Sequence, residues 1–234
     1  MSTNPKIQID KAFAALRIWV KGLDYAPVID LMAAGHDSPW KLLASTMLSA
    51  RTKDAVTTKA SRSLFSRADT PEKTAELSVE ELAELIYPVG FYRTKAENLK
   101  KLAEAIVERF GGVVPETLEE LTTLPGVGVK TASLVLIKAF DKYEICVDTH
   151  VHRISNMWGL VETKTPEETR IELKKKLPKK YWKEINQELV TLGQTVCRPT
   201  KHECDKCPLK GLCPAAASFL PPSGSRDLVI TGSR

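Results

Sequence analysis

Four of the five cysteines in this 234-residue chain fall within one short segment near its C-terminal end. They follow the spacing C-x6-C-x2-C-x5-C, at Cys197, Cys204, Cys207 and Cys213. Thiolates gathered this tightly, in a chain whose first ten residues are polar and carry no secretory signal, indicate a metal site and not a disulfide framework. Four thiolates can enclose one zinc ion or one 4Fe-4S cube, and the spacing alone leaves both open.

A glycine-rich turn, Leu124-Pro-Gly-Val-Gly-Val-Lys130, is the second segment that can do chemistry. Gly126 and Gly128, on either side of Val127, let the backbone turn sharply with its N–H groups facing outward. Those amides, together with the N-terminus of the helix predicted to follow, suit a phosphate oxygen. Such contacts hold a DNA duplex without reading its sequence. The alternative is a plain corner between two helices with no ligand.

Lys130 falls in the first turn of that predicted helix. A lysine is a nucleophile only when its amine is neutral. The positive end of the helix dipole disfavours the ammonium form, and so does the partial burial expected at this position. The sequence therefore predicts a reactive amine at this position, with a surface lysine that contacts phosphate as the alternative.

Asp148 follows eighteen residues later, where a short apolar run passes into a helix whose buried face carries Val151 and Ile154. The sequence places Asp148 as the N-cap of this helix, where its carboxylate accepts backbone N–H bonds. A carboxylate held in one place can stabilise positive charge that develops on a deoxyribose ring, or help remove a proton from an attacking amine. A purely structural cap is the alternative.

Basic residues occur in two further places that could contact a phosphate backbone. Arg198 and Lys201 lie in the loop between the first two clustered cysteines, which a bound metal would pin at both ends. The run from Lys174 to Lys183 holds six lysines and no acid, and it suits either a solvated helix face or a DNA contact. The net charge of +5 fits a nucleic-acid partner without requiring one.

The elements that must position these residues are helical almost throughout. Apolar residues recur with the period of a helix in about ten segments, and few segments alternate with the period of two that strands need. Breakers such as Pro71 separate the segments, and Thr117 and Thr165 begin capping-box patterns. No stretch approaches the ~20 apolar residues of a membrane span. The sequence therefore predicts an all-α fold.

The three motifs, taken in order, resemble the endonuclease III branch of the helix-hairpin-helix DNA glycosylases. The resemblance rests on Leu124–Lys130, on Val147-Asp-Thr-His150 and on the cysteine spacing, and it covers about residues 5–218. It implies a 4Fe-4S cluster in place of zinc. It also implies a bifunctional DNA glycosylase and abasic-site lyase, in which Lys130 attacks C1′ of a flipped nucleotide with help from Asp148. A lysine Schiff base then permits β-elimination.

The resemblance also implies a two-lobed molecule that binds double-stranded DNA containing damaged bases or abasic sites, with oxidised or ring-saturated pyrimidines as substrates. Residues 32–143 would form a helical-barrel lobe with the helix-hairpin-helix at 118–139. Residues 1–31 and 144–220 would form the cluster lobe, and the Pro/Gly/Ser-rich tail 221–234 is predicted to be disordered. We expect a monomer in the cytoplasm, associated with the nucleoid in a prokaryote.

Two segments depart from the family pattern. Met47–Asp54 resembles the segment that fills the gap left by the flipped base, but Arg51 stands where the family has glutamine. Val89–Ala96 resembles the loop whose leucine wedges into the base stack, and here the matching residue is Phe91. A phenylalanine can wedge between bases, although a core aromatic at a helix start is the alternative. Arg51 leaves the preference for the opposite base open.

Two other functions stay open on the sequence alone. One is a uracil or thymine mismatch glycosylase, which Arg51 permits. The other is a non-catalytic DNA-binding module stabilised by a metal cluster. Lys130 and Asp148 argue against the second, because a pure binding module needs neither residue at its position.

Overall fold

The computed structural model describes residues 7–23 and 38–218. Within those ranges it contains eleven α-helices and three 3-10 turns, and the one β pairing is an isolated bridge between Cys197 and His202. The predicted all-α fold is confirmed. The predicted disordered tail, residues 221–234, lies outside the described residues. The helices are α1 Ile9–Lys21, α2 Pro39–Ser49, α3 Asp54–Arg67, α4 Pro71–Glu76, α5 Val79–Ile86, α6 Tyr92–Phe110, α7 Leu118–Thr122, α8 Val129–Phe140, α9 Thr149–Met157, α10 Pro166–Lys176 and α11 Ile185–Thr195.

Side-chain caps set where many of these helices begin. Hydroxyls of Thr117 and Thr165 accept the amide hydrogen of the third helical residue, as their sequence patterns predict. A complete reciprocal capping box forms at Ser78, whose partner is Glu81. Pro71 lies between two predicted helical segments, as expected of a breaker, but it is also the first residue of α4, a short helix that the sequence did not predict and where its missing N–H costs nothing.

The described residues divide into two compact units. The hairpin unit contains residues 38–146 and Trp182–Ile185, and the cysteine unit contains residues 7–23, Val147–Tyr181 and 186–218. The chain therefore passes from the hairpin unit to the cysteine unit at Cys146–Val147, a point that lies between Lys130 and Asp148 in the sequence.

None of the helices in the described ranges combines the length and hydropathy that a membrane span needs.

The hairpin unit is built around α2 and α6. Helix α6 packs against α4 and α5, while α2 packs against α3 and α8. Burying apolar side chains along these contacts is the main force that stabilises the unit. The largest fully buried side chains of its core are Leu43, Leu48, Leu64, Leu82, Ile86, Leu99, Leu102, Ile106 and Leu121.

The cysteine unit has an aromatic centre. Phe13 of α1 stacks on Tyr181 with ring centroids 4.2 Å apart, and it meets the edge of Trp158 at 6.5 Å. Phe13 and Trp158 are fully buried. Aromatic pairs in these two geometries are favourable beyond the area they bury, so they join α1 to the segments around α9 and α10.

Candidate active site and nucleic-acid interface

The glycine turn between α7 and α8 is tight on one side and open on the other. Gly126 has a φ of +75°, and a Cβ atom there would lie 3.2 Å from the Met47 sulfur. Val127 is buried, and its amide donates to the Leu124 carbonyl at 3.1 Å. Gly128 is exposed, with no atom within 4 Å of the position a Cβ would take. A phosphate group can therefore approach the backbone at Gly128, beside the start of α8.

Lys130 is the second residue of α8 and is exposed. The partial burial expected for its side chain is therefore not observed. The apolar face of α8, with Ala132 and Val135, is fully buried and fixes the helix start. The Lys130 carbonyl also accepts a weak bond from the Cys146 thiol at 3.6 Å.

Asp148 caps α9 as predicted. Its Oδ1 accepts the amide hydrogens of His150 and Val151, each at 2.9 Å, which orients a half-buried carboxylate. Lys130 belongs to the hairpin unit and Asp148 to the cysteine unit. The cooperation of these two groups in catalysis stays a prediction.

Arg51 and Phe91 lie together at the surface of the hairpin unit. The Arg51 guanidinium carbon is 5.8 Å from the centroid of the Phe91 ring, within range of a cation–π interaction. Phe91 is 64% exposed, so the alternative of a core aromatic is wrong. Both residues have positive φ, 53° and 58° respectively, although neither is glycine. We refer to residues 50–53 and 87–91 as the Arg51–Phe91 platform.

A buried lysine, Lys95 of α6, underlies this platform and was missed by the sequence argument. Its ammonium donates to the carbonyls of Leu48 and Ala50 and to the Thr52 hydroxyl, at 2.7, 2.5 and 3.0 Å. Burial lowers the pKa of Lys95 from 10.5 to about 8. One signal was available: Lys95 falls in register with Leu99 and the rest of the apolar stripe of α6.

The four clustered cysteines line one pocket in the cysteine unit, together with Trp158, Leu192 and Leu209 among other residues. The amide of Cys207 donates to the Cys204 carbonyl at 3.2 Å, which forms the predicted tight turn. Within the described ranges, no three His, Cys, Asp or Glu side chains are close enough together to hold a single metal ion. The pocket wall is otherwise mainly apolar.

The chemistry of these thiols fits a group that carries positive charge. Burial raises the pKa of the Cys207 thiol to about 11, and it also raises the pKa of the Cys204 and Cys213 thiols, with the neighbouring cysteines adding to each rise. Four thiolates in this pocket therefore need a bound cation. Arg153 supplies one cationic partner, since its guanidinium donates to the Cys197 sulfur at 3.5 Å and also contacts the Cys197 carbonyl.

The loop between Cys197 and Cys204 presents its basic side chains to solvent. Arg198 and Lys201 are exposed, and the Arg198 amide donates to the Lys201 carbonyl at 3.1 Å, which closes a compact turn. The loop can therefore meet a phosphate backbone with little further ordering.

The lysine-rich run is closer to a solvated face. Lys175 and Lys176 both pair with Glu172, at 2.8 and 3.1 Å, and Lys180 pairs with Asp10 at 2.6 Å. Lys183 pairs with Asp141 at 2.6 Å in the hairpin unit, so four of the six lysines in the run have acidic partners within their own unit. Exposed pairs of this kind contribute little stability, but they reduce the positive charge available to DNA.

The sequence is similar to base excision DNA repair proteins and to endonuclease III from several organisms. Residues 44–179 match the family model of the HhH-GPD superfamily base excision DNA repair protein. The chain is 49% identical to endonuclease III of Thermotoga maritima, over 75% of this chain and 82% of the relative. It is 38% identical to endonuclease III of Bacillus subtilis, over 76% and 82%, and 44% identical to a chloroplastic endonuclease III homolog of Arabidopsis thaliana, over 79% of this chain and 50% of the relative.

Solved structures extend the similarity to nearly the whole chain. A trapped covalent intermediate of endonuclease III with DNA superposes with a TM-score of 0.80 at 31% identity, over 94% of this chain and all of that one. A thermostable thymine-DNA glycosylase gives a TM-score of 0.75 at 23% identity, over 90% of this chain and 98% of the other. At 23% identity, the similarity to the thymine-DNA glycosylase shows a shared fold and does not extend to its activity.

Proposed function

Because the chain belongs to the HhH-GPD superfamily of base excision DNA repair proteins, and within it to the endonuclease III family, we propose that Lys130 and Asp148 perform its chemistry on damaged pyrimidines. The chain is a DNA glycosylase and abasic-site lyase. The observation that carries the proposal is the position of Lys130, in the first turn of α8 and exposed directly after the open glycine turn.

The proposed reaction begins with a nucleotide flipped out of the stack. The neutral amine of Lys130 forms a bond to C1′ while the bond from C1′ to the base breaks, and the base leaves with a proton. The sugar ring opens to give an imine between Lys130 and C1′. Loss of a proton from C2′ then expels the 3′-phosphate, which cuts the strand on the 3′ side of the lesion.

Asp148 is proposed to act in the first of these steps. Its carboxylate would stabilise the positive charge on the sugar as the base departs, and would help remove a proton from the amine. The two hydrogen bonds that its Oδ1 accepts from backbone amides support this role, because a carboxylate that is already oriented needs no reorganisation when the charge develops.

Contacts to double-stranded DNA are proposed at three places. The amides of Gly126 and Gly128 would bind a phosphate group, whereas the Val127 amide already donates to the Leu124 carbonyl and is not available for the contact predicted from the sequence. The compact loop with Arg198 and Lys201 would bind another phosphate group. The Arg51–Phe91 platform would enter the space left by the flipped nucleotide. We propose that the protein acts as a monomer, in whichever compartment holds the DNA.

A 4Fe-4S cluster is proposed as the group held by Cys197, Cys204, Cys207 and Cys213. All four cysteines line a single pocket, as one shared group requires, and similarity to the endonuclease III relatives favours the cluster over a zinc ion. When bound, the cluster would hold together a segment with little regular structure of its own.

The alternatives are not favoured. Mismatch glycosylase activity rests on a structural likeness at 23% identity, whereas the endonuclease III relatives reach 49%. A non-catalytic DNA-binding module is not favoured either, because the chain shares the fold of an endonuclease III structure over 94% of its length.

Borohydride trapping on abasic-site DNA tests the nucleophile. The wild type should form a covalent adduct, and Lys130→Ala should form none. Lys138→Ala, which changes a second lysine of the same helix, is the matched control and should trap normally. An adduct that persists in Lys130→Ala would remove this lysine from the mechanism.

A cleavage panel and metal analysis test the finer claims. Duplexes with oxidised or ring-saturated pyrimidines should be cut faster than duplexes with uracil or mismatched thymine. Asp148→Asn should slow base removal more than elimination at a preformed abasic site. Purified protein should contain iron and acid-labile sulfide, which Cys207→Ser should lower, and stoichiometric zinc would contradict the cluster.

A further inference from the structure

Lys95 is a charged residue at a core position where an apolar side chain would pack equally well. It lies in the first turn of α6, is 8% exposed, and continues the buried stripe of Leu99, Leu102 and Ile106. Burying an ammonium costs free energy, and the positive end of the helix dipole adds to that cost. A methionine would avoid both costs, so stability of the core does not account for a lysine here.

All three contacts of the ammonium converge on one short piece of chain. Leu48 and Ala50 offer carbonyls and Thr52 offers a hydroxyl, so the three N–H donors meet three uncharged acceptors on both sides of Arg51. The carbonyls belong to the last turn of α2 and the residue that ends it, where helical partners run out. Lys95 thus ties the start of α6 to the end of α2.

A second set of contacts joins the two loops of the platform to each other. The Thr52 hydroxyl oxygen accepts from Lys95 and also from the Gly90 amide at 3.1 Å. A Cβ at Gly90 would lie only 2.6 Å from the Arg51 carbonyl oxygen, so the two backbones are in direct contact. The Lys95 amide in turn donates to the Phe91 carbonyl at 3.0 Å. One lysine therefore contacts the backbone on both loops.

The residues held in this way have unfavourable backbone conformations. Arg51 and Phe91 are both in the left-handed region, which is unfavourable for a residue with a side chain. Such conformations persist only where the surroundings determine them, and they concentrate at functional sites. Here they place the guanidinium over the exposed phenyl ring.

We propose that Lys95 is a positioning residue that holds Arg51 and Phe91 as one preassembled element for entering the duplex and reading the base opposite the lesion. The inference rests on the proposed function. Lys95 itself does not touch DNA. Its effect is to fix the distance between the wedge and the guanidinium before binding, so that neither side chain has to be ordered at the moment of entry. Discrimination between opposite bases then depends on Lys95.

The test separates duplex entry from lyase chemistry. Lys95→Met should slow single-turnover excision from duplex DNA by on the order of 10–100-fold, the loss expected from a misplaced group. Strand cleavage by the same variant at an abasic site in single-stranded DNA should stay at the wild-type rate, because no opposite base has to be displaced. The ratio of excision rates with guanine and with adenine opposite the lesion should move towards one.

Lys100→Met is the matched control. Lys100 lies on the same helix, and its ammonium contacts the Ala75 carbonyl and pairs with Glu104 at 3.3 Å, away from the platform. This variant should keep wild-type rates on both substrates. Thr52→Val removes the shared hydroxyl but keeps Lys95, so it should reproduce part of the duplex defect even if Lys95→Met fails to fold.

A second readout reports positioning directly. A fluorescent 2-aminopurine opposite a stable abasic analogue should brighten when the wild type unstacks it, and brighten less with Lys95→Met. In a chain that already carries Arg51→Ala and Phe91→Ala, Lys95→Met should cause no further loss of duplex excision. Equal rates for Lys95→Met and Lys100→Met, or losses that multiply on the doubly substituted background, would overturn the proposal. Absence of a borohydride adduct in the wild type would instead defeat the proposed function.

Discussion

The glycine turn before Lys130 and the Arg51–Phe91 platform are both irregular segments of the hairpin unit, but different contacts hold them. The turn is closed by local bonds, such as that from the Val127 amide to the Leu124 carbonyl. The platform is held by contacts between residues 38 to 47 positions apart, made by Thr52 and Lys95. A local turn can form as its own chain folds, whereas the platform exists only once α2 and α6 have packed.

The two lysines of these segments differ in the same way. Lys130 is exposed at a helix start, and its proposed reactivity depends on the dipole and on the DNA it meets. Lys95 is buried, with its charge distributed over three uncharged acceptors. One lysine is available for chemistry because it is exposed, and the other can position neighbouring residues because it is not.

The largest effect that separates the two segments is expected from Gly90→Ala. The new Cβ would meet the Arg51 carbonyl oxygen at 2.6 Å, and a backbone atom cannot move aside without parting the two loops. We expect the free energy of unfolding in urea to fall by about 2–3 kcal/mol, and duplex excision to fall with it. Gly128→Ala, where the new atom meets open space, should change stability by less than about 0.5 kcal/mol. Equal stability of the two variants would show that the loops are not in close contact.

A smaller effect is expected from Gly126→Ala in the glycine turn. Its φ of +75° and the Met47 sulfur 3.2 Å from the new Cβ should together lower the free energy of unfolding by about 1–2 kcal/mol. Affinity for undamaged duplex should also fall, because the turn amides move. The ratio of excision rates with guanine and adenine opposite should not change, since the platform is held separately. A changed ratio would mean that the two segments are coupled.

Phe91→Gly compared with Phe91→Ala isolates the strain in the platform. Glycine accepts a φ of 58° without penalty, so Phe91→Gly should be the more stable of the two by about 1 kcal/mol in urea unfolding. Both variants should excise damaged bases from duplex DNA more slowly than the wild type, because both lack the ring. If the alanine variant is as stable as the glycine variant, the platform is not strained at this residue.

The sequence could predict the segments held by local contacts, but not those held by contacts between distant residues. Helix α8, the cap at Asp148 and the glycine turn depend on neighbouring residues, and their sequence signals are sufficient. The exposure of Phe91 depends on which distant segments meet, and no local pattern encodes that. For Lys95 the only local signal is its register with the apolar stripe of α6, and its three acceptors lie 43 to 47 residues away in the sequence. The partial burial expected for Lys130 was wrong for this reason.

The remaining prediction is a pH dependence that belongs to Lys95. Burial lowers its pKa to about 8 in the folded protein, from the ordinary value of 10.5. Between these pH values the unfolded chain holds a proton that the folded protein has lost. The free energy of unfolding of the wild type should therefore rise with pH relative to Lys95→Met, by at most ~1.4 kcal/mol per pH unit.

Urea unfolding of the wild type, Lys95→Met and Lys100→Met at pH 7, 8, 9 and 10 measures this difference. Below the folded pKa of about 8 both states of the wild type keep the proton, so the difference between wild type and Lys95→Met should be constant there. Above it the difference should shift in favour of the wild type, while Lys100→Met runs parallel to the wild type throughout. A difference that stays flat to pH 10 would mean that Lys95 is not a desolvated ammonium, and the comparison with the exposed Lys130 would lose its basis.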